Sequence, residues 1–104
     1  MSSGRRHERM QEFIQRTLGS LVQEYIRPDV LVSITQVQIS VDFQWADVSV
    51  SIFPYDKHEE MMAFLARRAG LFQALLNKSL RIKHTPKIRF ILDSRLEAGI
   101  IEDN

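Results

Sequence analysis

The spacing of apolar residues changes abruptly near residue 28, and this change limits the folds that the chain can adopt. Up to residue 26, apolar residues recur at steps of three and four, which is the period of one helix face. Beyond Pro28, which disfavours helical geometry in the residue before it, apolar and polar residues alternate as in a strand with one buried face. The sequence therefore predicts a helix over residues 6–26 followed by strands.

Two predicted strands follow this helix. The first covers residues 32–40, where Ile34 breaks the alternation of Val37 and Ile39, which indicates either a bend or a bulge. The second strand has its apolar residues on one face: Ala46, Val48, Val50 and Ile52. Its other face is polar, so one side packs on a core and the other is largely solvated. We expect a hairpin with its turn at residues 41–44.

A pair of helices and a third strand complete the pattern. Asp56 and Glu59 form the acceptor pattern of a capping box, so a second helix is expected to begin there. Helical spacing resumes beyond Gly70 in a different register, which indicates two helices joined at a kink, where glycine is expected to supply backbone angles that other residues cannot adopt. Pro86 precedes a strand that ends near Asp93. The core of this half is assigned to Phe64, Phe72, Leu75, Leu76, Ile88 and Phe90.

This order of elements predicts an α+β fold with a three-stranded sheet and helices on one of its faces. The length of 104 residues fits one domain over 1–104, with residues 1–5 and 99–104 as flexible tails. KH domains, which bind nucleic acids, join their paired helices through a GXXG loop that lets a phosphate backbone approach. This chain has Arg67-Arg68-Ala69-Gly70 at the corresponding place.

Charge is distributed unevenly along the chain, although the net charge is only +1. The segment from Arg67 to Arg89 holds seven basic and no acidic residues, +7, and the rest holds seven basic and 13 acidic residues, −6. A local basic field attracts phosphates even on an almost neutral protein, so the asymmetry favours a polyanionic partner. The alternative is a solvated basic surface without a partner.

Three stretches together resemble the bacterial ribosome-binding factor A family, over about residues 5–101. "SVDFQWADVSV" matches its S-x-D-x-x-x-A-x-V-x-V, and the segment from Gly70 to Asp93 resembles its G-x-x-R/Q-x-x-L-x-x-x-L-x-x-R-x-x-P-x-L-x-F-x-x-D. The third is the amphipathic first helix after a basic N-terminus. In this family a kink of the form Ala-x-Gly replaces the GXXG loop. Here Arg68 stands where the family has the alanine.

The resemblance implies a KH-like (type II) fold and a role in small ribosomal subunit maturation. It implies binding to the immature small subunit and its rRNA, with assistance to late maturation, rRNA processing and cold adaptation, and without catalysis or a cofactor. The absence of cysteine, of an apolar span and of a signal peptide favours a cytoplasmic protein that binds no membrane. We expect a monomer, and the sequence leaves open whether a ribosome-assembly GTPase is a second partner.

The candidate RNA contacts form three groups. The group expected around the kink is Arg67, Arg68, Ala69, Gly70 and Lys78. The group that runs from the last helix into the third strand is Arg81, Lys83, His84, Lys87 and Arg89. The group at the N-terminus is Arg5, Arg6 and Arg9. For each, solvated cations are the alternative, since basic residues also favour a helix C-terminus. Phe43 and Trp45 are expected either to stack on a base or a partner protein, or to cover the edge of the sheet.

Two other classes of function compete with RNA binding. The run "HEEMM" at His58 lacks the second histidine of a zinc protease helix, and no glycine pattern matches a phosphate-binding loop. These motifs argue against the common kinds of enzyme, and no metal site is expected. A protein-interaction module that uses the exposed face of the sheet or an edge strand remains the alternative.

Overall fold

A computed structural model of the chain describes the backbone of residues 2–93 and the side chains from residue 4 onward. The elements are α1 (Ser2–Gln23), β1 (Leu31–Ile39), β2 (Trp45–Phe53), α2 (His58–Arg67), α3 (Ala69–Leu80) and β3 (Lys87–Leu92). The predicted α+β order is confirmed. Residues 2–5, expected in a tail, belong to α1, while the expected tail 99–104 lies outside the described residues. Within residues 2–93, no helix combines the length and apolar character that crossing a bilayer requires.

The three strands form one sheet in the order β1-β2-β3. β1 and β2 are antiparallel, and β2 and β3 are parallel. Ile34 pairs with Val50 and Gln36 pairs with Ser49, so Thr35 is the extra residue of the predicted bulge, which is confirmed. The Thr35 hydroxyl donates a 2.5 Å hydrogen bond to the buried carboxylate of Asp93, directly after β3. This bond connects the two outer strands across β2.

One apolar core lies between the sheet and the helices. Its buried residues include Ile14, Leu18, Val22, Val32, Val48, Val50, Met61, Leu65, Phe72, Leu76 and Ile88. Phe72 contacts Phe90 edge to face, with ring centroids 6.0 Å apart. Phe64 and Phe90 are half-buried and pack against this core, in agreement with their assignment. Leu75, assigned to the core from its spacing, is only half-buried.

Two contacts show that α1 and α3 run in opposite directions. Phe72, in the first turn of α3, meets Tyr25, which lies just beyond α1, with ring centroids 5.5 Å apart. Ile82, just beyond the other end of α3, lines the same groove as Met10 and Phe13 from the first half of α1. The helix junction before α3 and the loop after it therefore lie at opposite ends of the molecule.

Side chains from the helices hydrogen-bond to the outer edges of the sheet. On β1, the side chains of α1 lie along the edge: His7 Nε2 is 3.0 Å from Ser40 O, Gln11 Oε1 accepts from Ile39 N at 3.1 Å, Gln15 donates to Ile34 O at 3.0 Å and Gln23 donates to Val32 O at 2.7 Å. On β3, Gln73 of α3 donates to Pro86 O at 3.1 Å and accepts from Ile88 N at 2.8 Å. These side chains satisfy backbone groups that a further strand would otherwise pair.

The predicted capping box at the start of α2 is wrong. One turn of 3-10 helix, Tyr55–Lys57, precedes α2, and no side chain caps either segment. An N-cap residue needs extended backbone geometry, and here Pro54 has it, with φ −72° and ψ 160°. Asp56 already lies inside the turn, so its carboxylate cannot take the capping position.

We predict that Gln73→Ala lowers the free energy of unfolding by about 1–3 kcal/mol, because it leaves backbone groups of Pro86 and Ile88 without their partner. Chemical denaturation followed by the fluorescence of Trp45 measures this change. Gln38→Ala, on the solvated face of β1, is the matched control and should shift the value by less than about 0.5 kcal/mol. Equal effects of the two substitutions would contradict a specific role of Gln73.

Candidate nucleic-acid interface

The break between α2 and α3 is confined to Arg68. Its φ of −98° and ψ of 5° depart from helical values, while its N–H donates to Phe64 O at 3.1 Å and its carbonyl accepts from Phe72 N–H at 3.0 Å. The Arg68 guanidinium lies over the Phe64 ring, 5.3 Å from its centroid. The predicted kink is therefore present, and the arginine that replaces the family's alanine forms it.

Gly70 does not have the conformational role that was expected of it. It lies in the first turn of α3, and no glycine among the described residues has a positive φ. A Cβ built on Gly70 would meet nothing within 4 Å. Neither the backbone geometry nor the surrounding space requires glycine, so the kink follows from Arg68 alone.

Lys78 does not surround the kink. It lies in the last turn of α3, ten residues after Arg68, which corresponds to about 15 Å along the helix axis. The ten helical residues from Ala69 to Lys78 are what separates Lys78 from the kink. Arg81, which ends α3 in left-handed geometry at φ 55°, lies at the same end as Lys78.

Most of the candidate cations lie at this second end of the molecule. We call it the basic end, and it is formed by α1 from Arg5 to Arg16, the β1–β2 turn and the segment from the last turn of α3 to the first half of β3. Its basic residues are Arg5, Arg6, Arg9, Arg16, Lys78, Arg81, Lys83, His84, Lys87 and Arg89, all exposed. The backbone joins two of these parts, because Lys87 N–H donates to Gln44 O at 2.9 Å. Only Arg67 and Arg68 of the predicted cations remain at the junction.

Sequence reasoning missed Arg16. It is absent from the predicted contacts, yet it follows Arg9 by seven residues, two helical turns, which places both on one side of α1. That spacing was the available signal.

Trp45 lies on the solvated face of the central strand, so it does not cover an edge of the sheet. Its side chain is 40% exposed. The Arg89 guanidinium is 4.6 Å and the Lys87 ammonium 6.0 Å from the ring centroid, both in the range of cation–π contacts. Arg89 also forms an ion pair with Asp47. The result is an aromatic surface flanked by cations at the basic end.

The β1–β2 turn is held by Ser40 and Asp42, the two polar residues of the family's S-x-D. The Ser40 hydroxyl accepts from Gln44 N–H at 3.1 Å and Trp45 N–H at 2.9 Å, and it donates to Asp42 Oδ1 at 2.7 Å. The Ser40 hydroxyl and, next, the Gln44 N–H lower the pKa of Asp42 from its ordinary value of 3.8. These bonds hold Phe43 at a φ of 63°, which is unusual for an aromatic residue.

A groove of about 800 Å³ opens between α1, this turn and the α3–β3 loop. From α1 it is lined by Arg6, Arg9, Met10, Glu12, Phe13 and Arg16. The turn contributes Asp42, Phe43 and Gln44, and the loop contributes Ile82 and His84. The groove thus brings His84 to the same place as Arg6 and Arg9, from which it is far apart in the sequence.

Comparison with known proteins gives a consistent result. The family model of ribosome-binding factor A matches residues 6–102. Ribosome-binding factor A of Syntrophomonas wolfei is 35% identical over 103 residues, which cover 94% of this chain and 84% of that protein. The crystal structure of ribosome-binding factor A from Thermus thermophilus aligns with a TM-score of 0.72 at 22% identity, over 83% of this chain and 94% of that one. A homology model of the Thermus thermophilus factor, fitted into the cryo-EM map of a 30S complex, gives a TM-score of 0.71 at 22% identity, over 81% of this chain and 91% of that one. At this identity the two structures support the fold.

We predict that Gly70→Ala stabilises the protein by about 0.5–1 kcal/mol, since alanine has the higher helix propensity and the added methyl group meets open space. Gly19→Ala, in α1 with equally open surroundings, is the matched control and should give a similar gain. Chemical denaturation measures both. A loss of stability confined to the Gly70 variant would show that the junction does require glycine.

Asp42→Asn should lower the melting temperature at neutral pH, because the charged form of Asp42 accepts the hydrogen bonds of the turn. A folded-state pKa below the ordinary 3.8 means that this stabilisation is present at pH values well above 3.8 and is lost as the pH falls through the folded-state pKa. The difference from the wild type should therefore shrink in acid. Thermal unfolding over a pH series tests this, and a difference independent of pH would contradict the assignment.

Proposed function

The chain belongs to the ribosome-binding factor A family, and from that premise we propose that it binds the small ribosomal subunit through the subunit's rRNA. The observation that carries the proposal is the gathering of ten basic residues at one end of an almost neutral molecule. The Thermus relative with this fold was fitted into a 30S complex, which supports the same partner for this chain.

The basic end binds RNA by replacing the counterions of the phosphates. Each cation that meets a phosphate releases condensed ions, so affinity depends steeply on salt and needs no catalytic group. Trp45 adds an exposed ring on which a base can stack, and Lys87 and Arg89 flank it. Arg67 and Arg68, together with the backbone at Ala69 and Gly70, form a second, smaller contact at the junction.

In the wider proposal, binding assists late maturation of the immature subunit and processing of its rRNA, while the protein catalyses no reaction. The protein acts as a monomer in the cytoplasm, and a ribosome-assembly GTPase is its candidate second partner. The basic end accounts for the RNA part of this proposal, since phosphates are the partners that exposed arginines and lysines favour. The family assignment supports the maturation part.

A protein partner is the second candidate, and one observation favours it. Leu31 and Phe53 pair across β1 and β2 on the solvated face of the sheet, and they are 59% and 70% exposed. This apolar pair lies at the end of β2 opposite Trp45. Recruitment of a strand at an edge is less favoured, because side chains of α1 and Gln73 already occupy edge groups of β1 and β3.

We predict that Lys83→Glu combined with Lys87→Glu reduces co-sedimentation with purified small subunits at least tenfold, because two repulsions replace two phosphate contacts. The double variant Arg67→Glu and Arg68→Glu should cause a smaller loss. For the wild type, about five phosphate contacts predict a slope of log affinity against log salt of about −4 to −5.

Lys57→Glu is the control for charge reversal itself. Lys57 follows the end of β2 that is opposite Trp45 and the basic end. Its ammonium forms an ion pair with Glu60 at 4.0 Å. The substitution should leave binding within about twofold, because exposed ion pairs contribute little. Undiminished binding by the Lys83 and Lys87 variant, with salt-insensitive affinity, would favour the protein-partner alternative.

A further inference from the structure

The groove at the basic end combines two kinds of surface. Its apolar part comes from Met10, Phe13, Phe43 and Ile82, and its rim carries arginines. A volume of about 800 Å³ lies within the range of roughly 300–1,000 Å³ typical of sites for small organic groups. A flat phosphate-binding surface needs no such cavity, so the groove suits a ligand that has both an apolar ring and negative charge.

Phe43 is a fixed part of the groove wall. A left-handed backbone is energetically unfavourable for a residue with a Cβ, and it persists only where neighbouring groups fix it. Here the hydrogen bonds of Ser40 and Asp42 fix the turn, and the His7 ring lies against Phe43 with centroids 4.1 Å apart. The ring is thus supported on one side by α1 and contributes to the groove wall.

The charged rim of the groove is formed by the arginines of α1. Arg6, Arg9 and Arg16 all come from α1, with Arg6 about one turn before Arg9 and Arg16 about two turns after it, and the Arg6 guanidinium lies 5.8 Å from the Phe43 ring centroid. Glu12 and Asp42 also line the groove, so it is not a uniformly positive channel. Carboxylates repel a phosphate but accept hydrogen bonds from the amino group of a base or from a 2′-hydroxyl.

From these features we infer that the groove binds one unpaired nucleotide of single-stranded RNA, with its base against Phe43 and Ile82 and its phosphates at Arg9 and Arg16. The inference rests on the proposed function and specifies its ligand. A base inside a duplex is stacked on both faces and cannot enter such a groove, whereas an unpaired base can be turned outward to stack on an aromatic side chain.

Fluorescence anisotropy with a labelled single-stranded RNA decamer and a hairpin of the same base composition tests the inference on the full chain. Phe43→Leu should weaken binding of the single strand between about fivefold and a hundredfold, the range for loss of one stacked base. It should change hairpin binding less than about twofold. Phe43→Tyr retains the ring and should bind the single strand like the wild type.

Phe53→Leu is the matched control, since Phe53 is exposed at the other end of the sheet. It should leave single-strand binding unchanged. Phe43→Asn tests whether a loss of binding reflects misfolding, because asparagine tolerates the left-handed backbone. This variant should bind the single strand as weakly as Phe43→Leu and should still unfold in a cooperative transition. A decamer containing 5-iodouridine should cross-link to Phe43 on irradiation, as located by mass spectrometry.

The outcomes separate the groove from the proposed function. Normal co-sedimentation with small subunits, together with unchanged single-strand binding by Phe43→Leu and Phe43→Asn, would overturn the groove assignment and leave the proposed function standing. No binding of wild-type protein to subunits or RNA would overturn both. Competition by free adenosine or uridine monophosphate as strong as that of the decamer would identify a free nucleotide as the ligand and overturn the assignment to RNA.

Discussion

Hydrogen bonding of helix side chains to the sheet edges is the interaction on which the rest of the structure depends. A three-stranded sheet has two edge strands, and each exposes backbone groups that need partners. Gln11, Gln15 and Gln23 of α1 meet β1, and Gln73 of α3 meets the start of β3. The apolar core holds the helices over the sheet, but apolar contacts are non-directional. The hydrogen bonds of the glutamine side chains are directional, and they fix where along each strand the helices lie.

This registration of helices against strands also builds the basic end. With α1 fixed along β1, its first two turns come beside the β1–β2 turn, where His7 reaches Ser40 and Phe43. With Gln73 bonded at Pro86, the loop after α3 returns to the same end. Three segments distant in sequence therefore meet, and two of them, α1 and the segment that follows α3, bring the cations. The basic end thus results from the hydrogen bonds between the helices and the outer strands. The same bonds occupy backbone groups that a partner strand would need.

The sequence predicted the elements well because their apolar periods are long and regular. The break that Ile34 makes in the alternation of apolar residues marked the place of the bulge. Features that depend on geometry between elements were less accessible. The Asp56 and Glu59 pattern was misleading because a turn of 3-10 helix, Tyr55–Lys57, precedes α2. Asp56 therefore lies within that turn and not at the extended position that an N-cap needs. The role given to Gly70 rested on the assumption that a kink needs a glycine, whereas Arg68 forms it. Lys78 was grouped with the junction although about ten residues of helix separate it from Arg68 and place it at the other end of α3. The groove could not be foreseen, since it joins α1, a turn and a loop by tertiary packing.

The separation of charge explains how a chain of net charge +1 can present a surface for RNA. α3 has 12 residues and spans about 18 Å, which separates the junction from the basic end. The Debye length at physiological salt is about 8 Å, so charges at one end are largely screened from those at the other. A phosphate near the groove therefore interacts mainly with the cations of the basic end and with Glu12, Asp42 and Asp47 nearby. Of these, Asp42 is engaged by the turn and Asp47 by Arg89. In the proposed function, the affinity for RNA therefore depends on the local composition of the basic end, and the acidic residues elsewhere reduce the net charge without cancelling the field there.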